Sequence, residues 1–298
     1  MSCPINPASE NYADFIHRYG SEAGPSDSFR NDIVCSDFAF PGYSILYVPS
    51  KAILPLSLEK YPYYSIPKLY TTMDTSALDA SGISTAAAQP ALGSRGRGTI
   101  IGFIDTGIDY RNPVFQNPNG TTRIIGIWDQ TLPPTVDPAN LENSSESQPI
   151  QYGTFFTREQ INEALASSTP LSLVPSTDTN GHGTFLAGVA AGSPIPEQDF
   201  IGAAPDAAIA MVRLKPAKQY LREFFCIPEN AVAFQENDII MGIRYLTLLA
   251  QEYRMPLTIC LGLGTNSGSH EGSSPLSQAL RYVSQYIGIC AVTAAGNE

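Results

Sequence analysis

The sequence predicts an α/β fold built on a parallel sheet with helices on both faces. Three observations carry this reading. Short apolar runs at Thr99–Ile104, Arg123–Trp128, Ala208–Leu214, Leu257–Leu261 and Ile289–Thr293 read as buried strands. Helical patterns lie among them, near Thr157–Leu165, His182–Gly192, Asn237–Tyr253 and Ser274–Tyr286. Strands that alternate with helices in this way need right-handed crossovers, which cover the sheet on both sides.

The elements are justified in chain order. Residues 1 to about 35 are polar, with few periodic signals, and read as a loosely ordered lead-in. Phe38, Phe40, Tyr43, Ile45, Tyr47 and Val48 then surround a Pro41-Gly42 turn, the pattern of paired strands. A short helix is expected over Ala52–Tyr61, weakened by Pro55, and an extended stretch over Tyr63–Tyr70. Together these form a small α+β unit over residues 1–73. Residues 74–98 are rich in Ala, Ser and Gly and read as a connector, and residues 99–298 as the larger domain. Within that domain Thr157 and Gln160 have capping-box spacing. Ser274 and Pro275 suit an N-cap and a first helical position. Ile239, Ile240, Ile243 and Leu246 share one face of the long helix. Pro133–Gln148 reads as a polar loop.

Composition narrows the functional classes. With 17 basic and 28 acidic residues the formal charge is −11, and no basic patch suits phosphate neutralisation, so nucleic-acid binding is not expected. The N-terminus, Met1-Ser-Cys-Pro-Ile-Asn-Pro, lacks the basic-then-apolar pattern of a signal peptide. No apolar stretch approaches the roughly 20 residues needed to span a bilayer. A soluble protein is therefore expected. The cysteines at positions 3, 35, 226, 260 and 290 contain no CxxC pair, which argues against zinc, and Cys260 and Cys290 are expected as buried thiols.

Two motifs and a chain end carry the chemistry. Asp105 follows the apolar run Ile100–Ile104 and precedes Thr106-Gly107, which puts a carboxylate at the C-terminal end of a buried strand. Open parallel sheets build their sites there. Asp-Thr-Gly also occurs in aspartic proteases, but those need a second such motif and an all-β fold. His182 opens a run of small residues, Gly183-Thr-Phe-Leu-Ala-Gly-Val-Ala-Ala-Gly192, which lets a helix pack closely on a sheet. Of the three histidines only His182 is packaged in this way; His17 and His270 read as structural. An imidazole beside a buried carboxylate is the arrangement that activates a serine hydroxyl. Asn297, at the end of the run Ile289–Thr293 and Ala294-Ala-Gly, offers an amide that can donate to an oxyanion.

Asp-Thr-Gly-Ile-Asp, then His-Gly-Thr, then Ala-Ala-Gly-Asn resemble the subtilase family in order and spacing. Gly202-Ala-Ala-Pro205 resembles the family's Gly-Val-Ala-Pro strand. Leu261-Gly262-Leu263-Gly264 resembles the strand end whose backbone pairs with substrate, with Gly262 where the family usually has Ser. Ile127-Trp-Asp-Gln-Thr131, Thr265–His270 and Ile66-Pro-Lys-Leu-Tyr70 are similar to the clostridial spore-germination subtilases.

The resemblance implies a subtilisin-like serine endopeptidase acting on polypeptides, in which Asp105 orients, His182 is general base and then acid, Asn297 stabilises the oxyanion, and Leu263 and Gly264 bind substrate backbone. It implies a prodomain over residues 1–73 whose tail lies in the substrate cleft, and a cytoplasmic or spore-associated setting. No cofactor is expected; calcium is possible by resemblance only, with no site identified. The family's Gly-Thr-Ser-Met-Ala segment, which supplies the nucleophile, does not occur in the 298 residues, so this chain is expected to be a C-terminally incomplete catalytic domain and inactive. The competing reading is a pseudoprotease or regulatory binding protein of the same fold, acting in spore-germination signalling.

Overall fold

The computed structural model describes residues 4–19, 32–72, 95–134, 150–195, 200–265 and 271–294. Most of the connector, most of the Pro133–Gln148 loop, His270 and Asn297 lie outside the described residues.

The N-terminal region forms an antiparallel sheet from β1 (Tyr12–Arg18), β2 (Cys35–Phe40) and β3 (Tyr43–Pro49), in the order β1-β3-β2. The strand β1 corrects the expectation of a loosely ordered lead-in. Its Ala13, Asp14, Phe15 and Ile16 are all buried. Phe15 packs in one apolar cluster with Tyr61 and Tyr220, and Ile16 in another with Tyr47. A strand covered on both faces shows no polar alternation, and Asp14 disguises it further. The helix expected over Ala52–Tyr61 is a single turn, α1 (Ser50–Ile53). It ends before Leu54-Pro55, because the residue before a proline is pushed out of helical geometry. After a 3-10 turn at Tyr63–Ser65 the chain extends as β4 (Leu69–Thr72).

The larger region follows the predicted alternation. In chain order it contains β5 (Ile100–Asp105), β6 (Ile124–Asp129), β7 (Thr154–Thr157), α2 (Arg158–Ala166), α3 (Pro170–Leu173), α4 (His182–Ala191), β8 (Ala208–Arg213) and α5 (Gln219–Phe224). It continues with β9 (Phe234–Gln235), α6 (Glu236–Tyr253), β10 (Leu257–Leu261), β11 (Leu263–Gly264), α7 (Pro275–Val283) and β12 (Ile289–Thr293). Among the described residues the main sheet has the order β12-β10-β5-β8-β6-β7. Its neighbours pair in parallel except β6 with β7, an antiparallel edge that the sequence reading did not anticipate.

Alternate residues of β5 feed two layers. Ile100 and Ile104 pack with Ile239, Ile243 and Leu246 of α6. Ile101 and Phe103 pack on the other face with Leu186, Ala187 and Ala191 of α4. Both predicted caps form: Thr157 and Gln160 close a capping box, and Ser274 accepts from Ser277 N–H with Pro275 in the first turn.

The cysteines differ in part from expectation. Cys260 is half-buried, and burial, with a smaller contribution from Asp105, pushes its thiol up to about 11. Cys290 is exposed rather than buried: on β12, the outermost strand among the described residues, its side chain lies on a sheet face that the described residues leave uncovered. Cys35 is disulfide-bonded.

Candidate active site

The site is built where β5 ends. This strand lies between β10 and β8, so the Asp105 carboxyl emerges at the C-terminal edge of the sheet and is fully buried. Asp105 Oδ1 accepts the Thr106 N–H at 2.7 Å and lies 2.8 Å from His182 Nδ1. The His182 side chain is 15% exposed, so the imidazole is partly accessible to solvent. A carboxylate at Nδ1 holds the proton there and leaves Nε2 as the basic nitrogen.

Helix α4 delivers the imidazole from its first residue. Gly181 precedes it at φ +91°, a left-handed turn that suits glycine. Gly183 is required by contact: a Cβ there would lie 2.2 Å from the Gly107 carbonyl oxygen and 3.1 Å from Asp105 Oδ1. The small residues of the helix are thus what bring His182 down to the strand end.

Gly262 also lies close to the pair. A Cβ at this position would lie 3.2 Å from His182 Cε1, 3.4 Å from Asp105 Oδ2 and 2.8 Å from Leu186 Cδ2. Asp105 Oδ2 itself is buried with no hydrogen-bond partner among the described residues. The glycine that departs from the serine usual in the family therefore leaves this oxygen without a side-chain donor from position 262.

Next to Gly262 begins a smaller sheet of three strands in the order β11-β4-β9. Leu263 and Gly264 pair antiparallel with Thr72 and Thr71 of β4. On its opposite edge β4 pairs with β9, Tyr70 facing Phe234 and Leu69 facing Gln235. The register runs β4 toward Gly262, the position where a Cβ would lie 3.2 Å from His182 Cε1. Tyr70 is buried in the same apolar cluster as Phe234, Leu263 and Leu276. Upstream, Glu236 N–H donates to the Lys68 carbonyl at 2.7 Å, and its carboxylate accepts the Lys68 N–H at 3.2 Å and the Leu276 N–H at 3.1 Å. Burial raises the Glu236 carboxyl, against the lowering influence of Lys68 and these two amides.

A buried ionic group joins the N-terminal sheet to the same neighbourhood. Lys218 Nζ donates to Asp14 Oδ1 at 2.9 Å and to the carbonyls of Pro7 and Tyr12, while Gln235 Nε2 donates to Asp14 Oδ2 at 2.8 Å. Among the described residues no group of three or more His, Cys, Asp or Glu could hold a metal ion. No described helix is long and apolar enough to cross a membrane.

The structure therefore brings together Asp105 and His182, places Leu263 and Gly264 in the strand that follows Gly262 and pairs with β4, and leaves Asn297 outside the described residues. Sequence reasoning missed β9, Glu236 and the acceptor Asp178 near α4. A two-residue strand carries no period. Glu236 lies just before the residues expected to begin the long helix, and nothing local marks its partners Lys68 and Leu276. Asp178 was visible only as an acid shortly before a helix start.

Residues 96–298 match the peptidase S8 model, the subtilase family. Subtilisin-like protease SBT3.8 of Arabidopsis thaliana is 26% identical over 232 residues, covering 73% of this chain and 29% of the relative. The solved CspB protease of Clostridium perfringens is 33% identical at a TM-score of 0.58, covering 74% of this chain and 41% of that one. The chain thus spans less than half the length of either relative. With its α/β sheet and its Asp105–His182 pair, the chain belongs to the subtilase family of serine proteases.

Proposed function

We propose that the chain is the N-terminal portion of a serine endopeptidase whose nucleophile comes from sequence beyond residue 298. The observation that carries this is the 2.8 Å contact between Asp105 and His182 at the C-terminal edge of the sheet. In the proposed reaction His182 Nε2 takes the proton of a serine hydroxyl as that oxygen attacks the peptide carbonyl. The buried Asp105 carboxylate stabilises the imidazolium that forms. His182 then returns the proton to the departing amine. Asn297 donates to the oxyanion of the tetrahedral intermediate; the loss of one such donor costs about 3 kcal/mol, a magnitude taken from subtilisin itself.

Substrate is held as an added strand between β9 and β11, as β4 is now. Residues 1–73 serve as a prodomain, with β4 as its product-like tail and the processing site between Tyr70 and Asp74. The similarity of Ile127–Thr131 and Ile66–Tyr70 to clostridial spore-germination subtilases supports spore germination as the setting.

The test compares two proteins. The 298-residue chain is expected to take no label from a serine-directed fluorophosphonate. The product of the complete reading frame is expected to label, to hydrolyse peptides, to lose both properties in His182→Ala, and to begin within residues 68–80 after processing. Stoichiometric labelling of the short chain, or an active enzyme that keeps its N-terminal residues uncut, overturns the corresponding part.

A further inference from the structure

We propose that Asp178 is a positioning residue for the Asp105–His182 pair, acting through the Thr106 hydroxyl. This rests on the reading of that pair as the orienting acid and the base.

The pair sits on two separate elements, the end of β5 and the start of α4, and a 2.8 Å contact survives only if the two are held in register. Asp178 joins them. Its Oδ1 accepts the Thr106 hydroxyl at 2.9 Å and the Gly181 N–H at 2.8 Å, with Asn180 N–H at 3.1 Å. Its Oδ2 accepts both the N–H and the hydroxyl of Thr184 at 2.8 Å. One carboxylate thus grips the residue after Asp105 and the residues on either side of His182.

The grip is closed by two further bonds. Thr106 Oγ1 accepts the Gly183 N–H at 2.9 Å, and Thr184 Oγ1 accepts the Asp109 N–H at 2.9 Å. Each threonine hydroxyl therefore passes on in one direction what Asp178 holds in the other. Hydroxyl to carboxylate bonds are among the stronger neutral-to-ion contacts, and a carboxylate with five donors has one favoured placement. An ordinary helix cap would satisfy amides of α4 alone; the Thr106 bond has no capping purpose. Two neighbouring carboxylates have partners of their own: Asp109 pairs with Arg111 at 2.8 Å and Asp129 with Arg213 at 3.0 Å.

The test separates positioning from capping. Only three histidines are present, so the Nδ1 proton of His182, shared with Asp105, can be followed by NMR of histidine-labelled 298-residue chain and assigned by its loss in His182→Gln. The unaltered chain is expected to show this proton as a resolved low-field resonance. Thr106→Val keeps the shape and the Asp178 cap but removes the hydroxyl, and is expected to lose the resonance while melting cooperatively. Thr106→Ser is expected to keep it. Asp178→Asn, which can serve only one of the two sides, is expected to broaden it, and decides the matter if Thr106→Val does not fold. A wild-type resonance in both Thr106→Val and Asp178→Asn overturns the proposal, as does its absence from the unaltered chain. Neither result depends on proteolysis, so failure here is distinct from failure of the protease reading.

Discussion

Glu236 and Lys68 are joined twice, the Glu236 N–H to the Lys68 carbonyl and the Lys68 N–H to the Glu236 carboxylate, across 168 residues of chain. The same carboxylate accepts the Leu276 N–H, so one buried side chain ties the approach to β4 to the first turn of α7. Glu236→Ala is expected to leave two buried amides without acceptors, at about 1–3 kcal/mol for each. Hydrogen exchange should accelerate at residues 68–72 ahead of β5 and β8. Uniform exchange in the variant and the wild type would refute this.

Two glycines of one helix should respond in opposite ways. Gly183→Ala forces a methyl group to 2.2 Å from a backbone oxygen that cannot move aside, and destabilisation at or beyond the usual 1–3 kcal/mol of overpacking is expected. Nothing lies within 4 Å of a Cβ at Gly188. Gly188→Ala is therefore expected to gain up to about 1 kcal/mol from helix propensity. Urea midpoints for the two variants check the contrast; equal midpoints contradict it.

Stability should fall with rising pH across one window because of Asp37. Burial raises its carboxyl from 3.8 to about 6, although Tyr47 donates to it at 2.8 Å and Arg244 acts to lower it. Below about pH 4 the group is protonated in both states. Between about 4 and 6 the unfolded chain ionises while the folded chain keeps its proton, so the folded state loses ground on the order of 3 kcal/mol as pH rises. Asp37→Asn is expected to remove this part of the slope. The measurement is the difference between wild-type and variant unfolding free energies from pH 4 to 7; a constant difference would rule the effect out.

The core elements were legible because length and pattern agreed. The runs Leu257–Leu261 and Ile289–Thr293 are strands over those same residues, and the apolar face of α6 was visible in Ile239, Ile240, Ile243 and Leu246. Asp105 and His182 were legible because each carries its packing with it, an apolar strand on one side and small residues on the other. What stayed hidden depended on partners distant in sequence. The strand β1 is buried from both sides and carries Asp14, whose partner Lys218 lies 204 residues away. The strands β9 and β11 have two residues each and exist only because β4 lies between them. Edge β7 is a Thr-Phe-Phe-Thr segment directly before a helix, too short to announce its direction.

The placement of β4 has a consequence for the life of the chain before any chemistry. Without it, β9 and β11 would each present a row of unpaired N–H and C=O groups, flanked by Phe234 and Leu263. Such edges template pairing with other chains and seed aggregates. By occupying both at once, the segment Leu69–Thr72 works as a guard against mispairing between molecules.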